Sequence, residues 1–133
     1  SQSGYGLFID YGHSRSGYGD TLQAVKAHAY ADVLMNPGDS DLTAHVDFGA
    51  LSKAATTAGA IAYGVKLQSQ FLKLLGINER TDALSAQATP DQLVQLNSGR
   101  DRLIMDDQMG SLFKVLAIAG PDLPPPSGFQ VNR

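Results

Sequence analysis

The sequence predicts an α/β fold, in which buried strands alternate with helices along the chain. The first observation is that three apolar runs, at 6–10, 60–67 and 111–120, have the length and content of strands covered on both faces. The second is that helix start and stop signals lie between these runs, with Thr89-Pro90 as the clearest. With 133 residues, 43% of them apolar, the chain has the size of one such domain.

The first part of the chain is predicted to hold one strand and one helix. The run at 6–10 is expected to be a central strand, because three consecutive apolar side chains need cover on both faces. Asp20 and Thr21 are candidates for the cap of a short helix that follows and ends near the "NPG" at 36–38.

The middle of the chain continues the alternation of helix and strand. Asp47 is expected to cap a helix over about 48–58, and Gly59 is expected to end it. A strand over 60–67 then leads into a helix over 69–75, which also stops at a glycine.

The last part of the chain is predicted to hold a helix, a strand and a tail. Thr89 and Pro90 form a cap and first turn for the helix, and the apolar strand follows at 111–120. We therefore expect one domain over 1–120 and a Pro-rich tail over 121–133 that stays outside the core. The side chains expected in the core of the sheet are Leu112, Phe113, Val115, Leu116 and Ile118.

Composition excludes several classes of protein. A net charge of -3 and a pI near 5.4 argue against binding to nucleic acid or to anionic membranes. No apolar run approaches the roughly 20 residues of a membrane span, so a soluble intracellular protein is expected. The chain has no cysteine, and its three histidines, His13, His28 and His45, do not have the spacing of metal ligands. No metal site is predicted.

The loop after the first strand, in "LFIDYGHSRSGYGDT" at 7–21, nearly matches three catalytic motifs and fails each of them. A nucleophile elbow needs a glycine two residues after its serine. The residue two positions after Ser14 is Ser16, so the required glycine is missing. A P-loop needs a Lys after its second glycine, and the dinucleotide motif needs a third glycine, and neither is present. A small hydrolase that uses Ser14 or Ser16 is therefore disfavoured.

Five blocks of sequence, in the same order along the chain, resemble the C-terminal half of the MidA family of class I S-adenosylmethionine-dependent methyltransferases. These enzymes have a Rossmann-like fold. The blocks are "LFIDYGH" at 7–13, "GDTLQAV" at 19–25, "PGDSDLTAHVDFGAL" at 37–51, "QSQFLKLLGI" at 68–77 and "MGSLFKVLA" at 109–117.

The resemblance implies that the strands at 7–10, 60–67 and 111–119 are the fifth, sixth and seventh of the methyltransferase sheet. The seventh would then lie antiparallel between the other two. It also accounts for the unpaired edge of the apolar first strand. Such an edge would otherwise be prone to association with another chain. In this family the fourth strand covers that edge, and it belongs to a half of the fold that lies upstream.

The resemblance further implies protein arginine methylation in the assembly of respiratory complex I, with a complex I subunit as substrate. The family's glycine-rich loop and its acidic residue for the cofactor ribose lie upstream, so no cofactor-binding residue is assigned here. S-adenosylmethionine would be held mainly by the missing half, which is then a partner of this segment. The expected location is the cytoplasm in a bacterium and the mitochondrial matrix in a eukaryote.

This segment is expected to supply one wall of the substrate cleft. Ligands of open α/β sheets bind beyond the carboxyl ends of strands, where Asp10, Tyr11 and His13 fall. Asp10 or Asp20 is a candidate to hold an arginine by charge-assisted hydrogen bonds, with Tyr11 against its plane. Alternatively, Asp10 only ends the strand and bonds to loop amides, and His13 is only a surface residue.

His45 and Asp47 form a second candidate pair. They are two residues apart, so on an extended segment they share a face and could act as a base with its orienting carboxylate. The alternative is that Asp47 caps the following helix and His45 packs beneath it. At the level of the whole chain, the alternative to the enzyme is a noncatalytic interaction module that presents the free edge of the sheet to a partner.

Overall fold

The computed structural model describes residues 4–17, 19–35 and 38–130. Its strands are Tyr5–His13 (β1), Gln23–Lys26 (β2), Ala29–Ala31 (β3), Asp41–Thr43 (β4), Val46–Asp47 (β5), Ile61–Leu67 (β6) and Phe113–Ala119 (β7). Its helices are Phe48–Thr57 (α1), Gln68–Leu74 (α2), Ile77–Ser85 (α3), Pro90–Ile104 (α4) and Met109–Leu112 (α5). The predicted α/β class is confirmed.

The main sheet has the strand order β5-β1-β7-β6. β7 is antiparallel to β1, with Tyr5 opposite Ala119 and Tyr11 opposite Phe113, and it is also antiparallel to β6. The last strand of the sequence therefore lies between the other two long strands. This is the arrangement that the resemblance to methyltransferases implied.

The core lies along β7. Val115 and Leu116 are completely buried, and Phe48 at the start of α1 is also completely buried. Val115, Leu116 and Ala117 follow one another and are all buried, so the side chains of β7 are covered on both faces of the sheet. Leu112, which we expected in this core, is instead half-exposed, because it ends the short helix α5 before the strand begins.

The prediction that the tail at 121–133 stays outside the core is wrong for Phe129. Its ring is buried, and its centroid lies 5.3 Å from that of Phe71 on α2. Gly128 has a φ of +82°, and a Cβ at this position would meet the Phe71 ring, so the chain approaches α2 closely at a glycine. Prolines restrict the local backbone, but they do not prevent one aromatic side chain from reaching an apolar site.

The helix predicted after Asp20 and Thr21 is also wrong. The segment instead folds as a three-stranded antiparallel sheet with the order β3-β2-β4. Lys26 pairs with Ala29 across a two-residue turn, Ala27-His28, in which both residues have a positive φ. Such a turn matches the twist of a hairpin and is incompatible with a helix. Of the predicted "NPG" stop, residues 36 and 37 lie outside the described residues.

The remaining helix predictions are confirmed. Asp47 caps α1, since its Oδ1 accepts a hydrogen bond of 2.8 Å from the Ala50 amide. Thr89 and Gln92 form a reciprocal capping box at the start of α4. The helix α3 was not predicted, because it begins directly after Gly76 and has no side-chain cap.

One edge of the main sheet is open along most of β1. The short strand β5 pairs with β1 only at Gly12 and His13. In the described part of the chain, no strand pairs with this edge between Tyr5 and Tyr11. Leu7 is 53% exposed, and Phe8 and Ile9 are exposed to a similar degree. A strand whose apolar composition is typical of the centre of a sheet thus lies at an open edge.

Candidate functional site

A cleft of about 490 Å³ lies at the carboxyl end of β1, where the main sheet meets the three-stranded sheet. Three segments form its wall: the loop that follows β1, the approach to β2, and the segment around β5. The lining residues are His13, Arg15, Gly17, Gly19, Thr21, His45 and Asp47. Of the six residues predicted as site candidates, the cleft brings together His13, His45 and Asp47.

Two glycines allow these segments to approach each other. A Cβ on Gly12 would meet the Val46 carbonyl oxygen and the Phe48 ring, so the parallel contact of β1 with β5 requires a glycine. A Cβ on Gly49 would lie 3.1 Å from the Ser16 amide nitrogen. The loop after β1 therefore rests on the first turn of α1, which places His13 beside the cap of that helix.

The orientation of the His13 ring is fixed by the loop. Its Nδ1 lies 2.8 Å from the carbonyl oxygen of Arg15, which can only accept a hydrogen bond. Nδ1 therefore carries the hydrogen, and in the neutral ring Nε2 keeps a free electron pair. The same Nδ1 is 3.9 Å from Asp47 Oδ1. Both side chains are about one third exposed, so a ligand in the cleft can reach them.

Asp47 is held in its ionised form. The Ala50 amide makes the largest contribution that lowers the pKa of the carboxyl group, followed by a hydrogen bond with the Ser16 side chain. Burial opposes these two effects, and the charge of His13 and the Gly49 amide lower the pKa by smaller amounts. The cleft thus contains a permanent negative charge at neutral pH beside an imidazole with a defined tautomer.

His45 also lines the cleft, and its ring packs on one aromatic ring. Its backbone N–H donates to Thr21 Oγ1 over 3.3 Å, which joins the two ends of the three-stranded sheet. Its ring meets that of Tyr11 edge-on at 5.5 Å, and Tyr11 in turn meets Phe113 at 5.8 Å. Among the described residues, Asp47 forms its ion pair with His13 and not with His45.

The other candidates have local hydrogen bonds. Asp10 Oδ1 accepts a hydrogen bond of 2.8 Å from the amide of its neighbour Tyr11. Asp10 does not end the strand, as the alternative expected, because β1 continues to His13 and Tyr11 is still paired with Phe113. Asp20 Oδ1 accepts from the Leu22 amide over 3.1 Å and so shapes the turn before β2. Neither carboxylate lines the cleft.

Three residues of the site were not predicted from the sequence: Arg15, Ser16 and Thr21. Arg15 supplies a backbone carbonyl group, and a backbone role leaves no signature in the side chain. Ser16 and Thr21 act through hydroxyl groups that become relevant only once the loop folds back on α1 and on the His45 segment. A search for small polar residues near Asp47 would not have found them, because they lie 26 or more positions away.

The described residues contain no group of three or more His, Cys, Asp or Glu side chains that could hold a metal ion. No helix over 4–17, 19–35 and 38–130 is long and apolar enough to cross a bilayer.

Residues 1–66 match the family described as "Putative S-adenosyl-L-methionine-dependent methyltransferase". The match covers 66 of the 133 residues, all in the first half of the chain. The resemblance in its sequence blocks is thereby confirmed, and the order of β1, β7 and β6 agrees with the Rossmann-like fold of such enzymes.

Curated relatives support the same assignment. The chain is 38% identical over 115 residues to protein arginine methyltransferase NDUFAF7, mitochondrial, of Danio rerio, covering 86% of this chain and 27% of that protein. It is 40% identical over 117 residues to the Caenorhabditis elegans homolog, covering 86% of this chain and 26% of that protein. The chain thus spans about a quarter of the length of these relatives.

Solved structures agree with the fold. An uncharacterized protein from Burkholderia thailandensis superposes with a TM-score of 0.82 at 31% identity, covering 96% of this chain and 36% of that one. A crystal structure of a Burkholderia thailandensis protein bound to S-adenosyl-homocysteine superposes with a TM-score of 0.79 at 30% identity. The match covers 94% of this chain and 34% of that one. The Rossmann-like methyltransferase fold is confirmed for this chain.

Proposed function

We propose that residues 1–120 are the C-terminal half of a methyltransferase domain, in a longer protein that transfers a methyl group from S-adenosylmethionine to an arginine of a protein. The names of the curated relatives support the arginine acceptor, and the neighbour with bound S-adenosyl-homocysteine supports the cofactor. The observation that carries the proposal is the ionised Asp47 beside His13 in a cleft at the carboxyl end of β1.

The residues of the cleft suit the requirements of this reaction. S-adenosylmethionine, when bound, supplies an electrophilic methyl group on a sulfonium. A guanidine nitrogen forms the new N–C bond as the C–S bond breaks, and that nitrogen must then lose a proton. The Asp47 carboxylate is suited to hold the guanidinium by charge-assisted hydrogen bonds, and Nε2 of His13 is suited to accept the proton. We propose that Tyr11 and His45 form the aromatic floor below them.

The open edge of β1 supports the proposal that the two halves of the domain have different roles. Residues 5–11 of β1 expose apolar side chains and unpaired backbone groups that an upstream strand could cover. We propose that this upstream half holds most of S-adenosylmethionine. A complex I subunit remains the proposed substrate, in the mitochondrial matrix for a eukaryotic protein and in the cytoplasm for a bacterial one.

Calorimetric titration with S-adenosylmethionine tests this proposal. The full-length protein should bind one equivalent, whereas residues 1–133 alone should show no saturable binding. In the full-length protein, His13→Gln should lower kcat by about 100-fold, because general-base catalysis contributes factors of that size. His28→Asn, which changes an exposed histidine in the β2–β3 turn, is the matched control and should leave kcat unchanged. One-site binding by residues 1–133 would show that the cofactor site lies in this half.

A noncatalytic interaction module is the second candidate, and the open β1 edge is the observation that favours it. The same titration separates the two functions. If the full-length protein binds neither S-adenosylmethionine nor S-adenosyl-homocysteine, the enzyme is excluded and the interaction module is favoured.

A further inference from the structure

The three-stranded sheet beside the cleft has an exposed face that the proposed reaction does not explain. Val25 of β2 lies opposite Tyr30 of β3 and Asp41 of β4, so these three side chains form one row across the sheet. Tyr30 is 81% exposed, and Asp41 is also exposed. We name this surface, Gln23, Val25, Tyr30, Asp41 and Thr43, the Tyr30 face.

The Tyr30 face lies in the most acidic part of the chain. The segment 19–47 contains five aspartates and one lysine, a net charge of -4, whereas the whole chain has a net charge of -3. That lysine, Lys26, already contacts Asp39 at 3.3 Å. Asp41 has no ion-pair partner among the described residues. Asp20, Asp32 and Asp39 lie in the turns beside the strands, and Asp41 lies on the Tyr30 face itself. Asp47 lies in the cleft, which Arg15 also lines.

We propose that the Tyr30 face docks a basic residue that flanks the methyl-accepting arginine of the protein substrate. This inference rests on the proposed function. Asp41 supplies a carboxylate for a lysine or arginine side chain, and the exposed ring of Tyr30 supplies a cation–π surface in the same row. Neighbouring strands lie about 4.8 Å apart, so the two groups are about 10 Å apart across the sheet and can engage one extended segment.

The charge of the surface selects this occupant over others. A phosphate backbone would be repelled by the aspartates of 19–47, and a second copy of the chain would bring two such surfaces together. A cationic peptide is attracted by both the sheet and the Asp47 carboxylate in the adjoining cleft. The surface and the cleft therefore attract the same class of partner.

The spacing between the cleft and the Tyr30 face sets a length for the peptide. Thr21 lines the cleft and Val25 lies in the row, so four residues of chain connect them and span at most about 14 Å. An extended peptide covers a similar distance with about four residues. The basic residue should therefore stand within about four positions of the arginine.

Fluorescence anisotropy with the full-length protein tests the inference. The probe is a fluorescein-labelled 13-residue Gly/Ser peptide with a central arginine and a lysine four positions away on each side. The comparison peptide has serine in place of both lysines. At low ionic strength the wild type should prefer the lysine peptide by about 10-fold, and added salt should reduce this preference. Absence of any preference would overturn the inference.

Variants of the face should remove this preference. Asp41→Asn and Tyr30→Ala should each weaken binding of the lysine peptide by about 3-fold, and the double variant by about 10-fold, without affecting the serine peptide. Tyr30→Phe keeps the ring and should bind as the wild type does. Asp82→Asn, which neutralises an exposed aspartate on α3, is the matched charge control and should have no effect. Because each variant is judged by the ratio of two peptides, partial unfolding does not imitate the expected result.

Two different results would show that the docking surface is wrong or that the proposed function is wrong. If the double variant keeps the preference for the lysine peptide while S-adenosylmethionine binds and methyl transfer proceeds, the docking surface is wrong and the enzyme stands. If S-adenosylmethionine does not bind to the wild type, the proposed function is wrong, and anisotropy still reports whether the face binds cations.

Discussion

The neighbouring strands β1 and β7 have similar apolar sequences but opposite exposure. Leu116 of β7 is completely buried, while Phe8, its register partner on β1, is 42% exposed. Val115 is also completely buried, and its partner Ile9 is exposed. β7 has a long strand on each side, whereas β1 has β7 on one side and only two residues of β5 on the other.

This difference shows that burial in a sheet depends on both neighbours of a strand and not on its composition alone. An apolar strand with an open edge marks a place where another segment can add cover. In our account that segment is the upstream half of the methyltransferase. Substitutions on the two strands, and at the point where β5 closes the open edge, test this comparison.

The largest effect is expected from truncation of the buried strand. Leu116→Ala should lower the free energy of unfolding by about 3 kcal/mol, because a fully buried leucine leaves a cavity. Leu7→Ala in residues 1–133 should cost less than about 1 kcal/mol, since its side chain is half-exposed. Urea denaturation measures both values. In the full-length protein the effect of Leu7→Ala should rise to about 2 kcal/mol, and an unchanged small effect would contradict a covering strand.

The next effect is expected where β5 closes the edge. Gly12→Ala should lower the free energy of unfolding by about 1–3 kcal/mol, because the new Cβ meets the Val46 carbonyl oxygen and the Phe48 ring. The control is Gly99→Ala in α4, where a Cβ meets open space. Alanine there should stabilise the helix by about 0.5–1 kcal/mol. Equal effects of the two substitutions in chemical denaturation would show that β5 does not approach β1 closely.

A smaller, pH-dependent effect is expected from Asp47. Its pKa is lower in the folded state than in the unfolded state, chiefly because of the Ala50 amide. Its contribution to stability is therefore complete above the ordinary pKa of 3.8 and is lost as the pH falls through the lower folded value. Asp47→Asn, which keeps the cap, should lower the thermal midpoint slightly at pH 7 and much less at pH 2.5. An equal difference at both values of pH would exclude the charge as the cause.

The sequence predicted the long elements of the main sheet better than the segment between β1 and α1. Apolar runs identified β1, β6 and β7, and the caps Asp47 and Thr89 identified α1 and α4. The three-stranded sheet was predicted as a helix because its turn, Ala27-His28, lacks the glycine or asparagine that signals a hairpin.

The candidate site shows the same division. His13, His45 and Asp47 were identified by residue type and spacing, and the cleft contains all three. The sequence did not identify His13 as the partner of Asp47. The contact joins residues 34 positions apart and depends on the close approach of the chain at Gly12. Sequence spacing describes neighbours along a strand, whereas this pair is made between strands.

Hydrogen exchange along β1 tests the central claim most directly. The amides of residues 5–11 that point away from β7 are unpaired within the described chain and should exchange rapidly in residues 1–133. In the full-length protein the account predicts strong protection of this same set, while the amides that face β7 are protected in both proteins. Rapid exchange of the outward set in the full-length protein would contradict the account, because no upstream strand would then pair with β1.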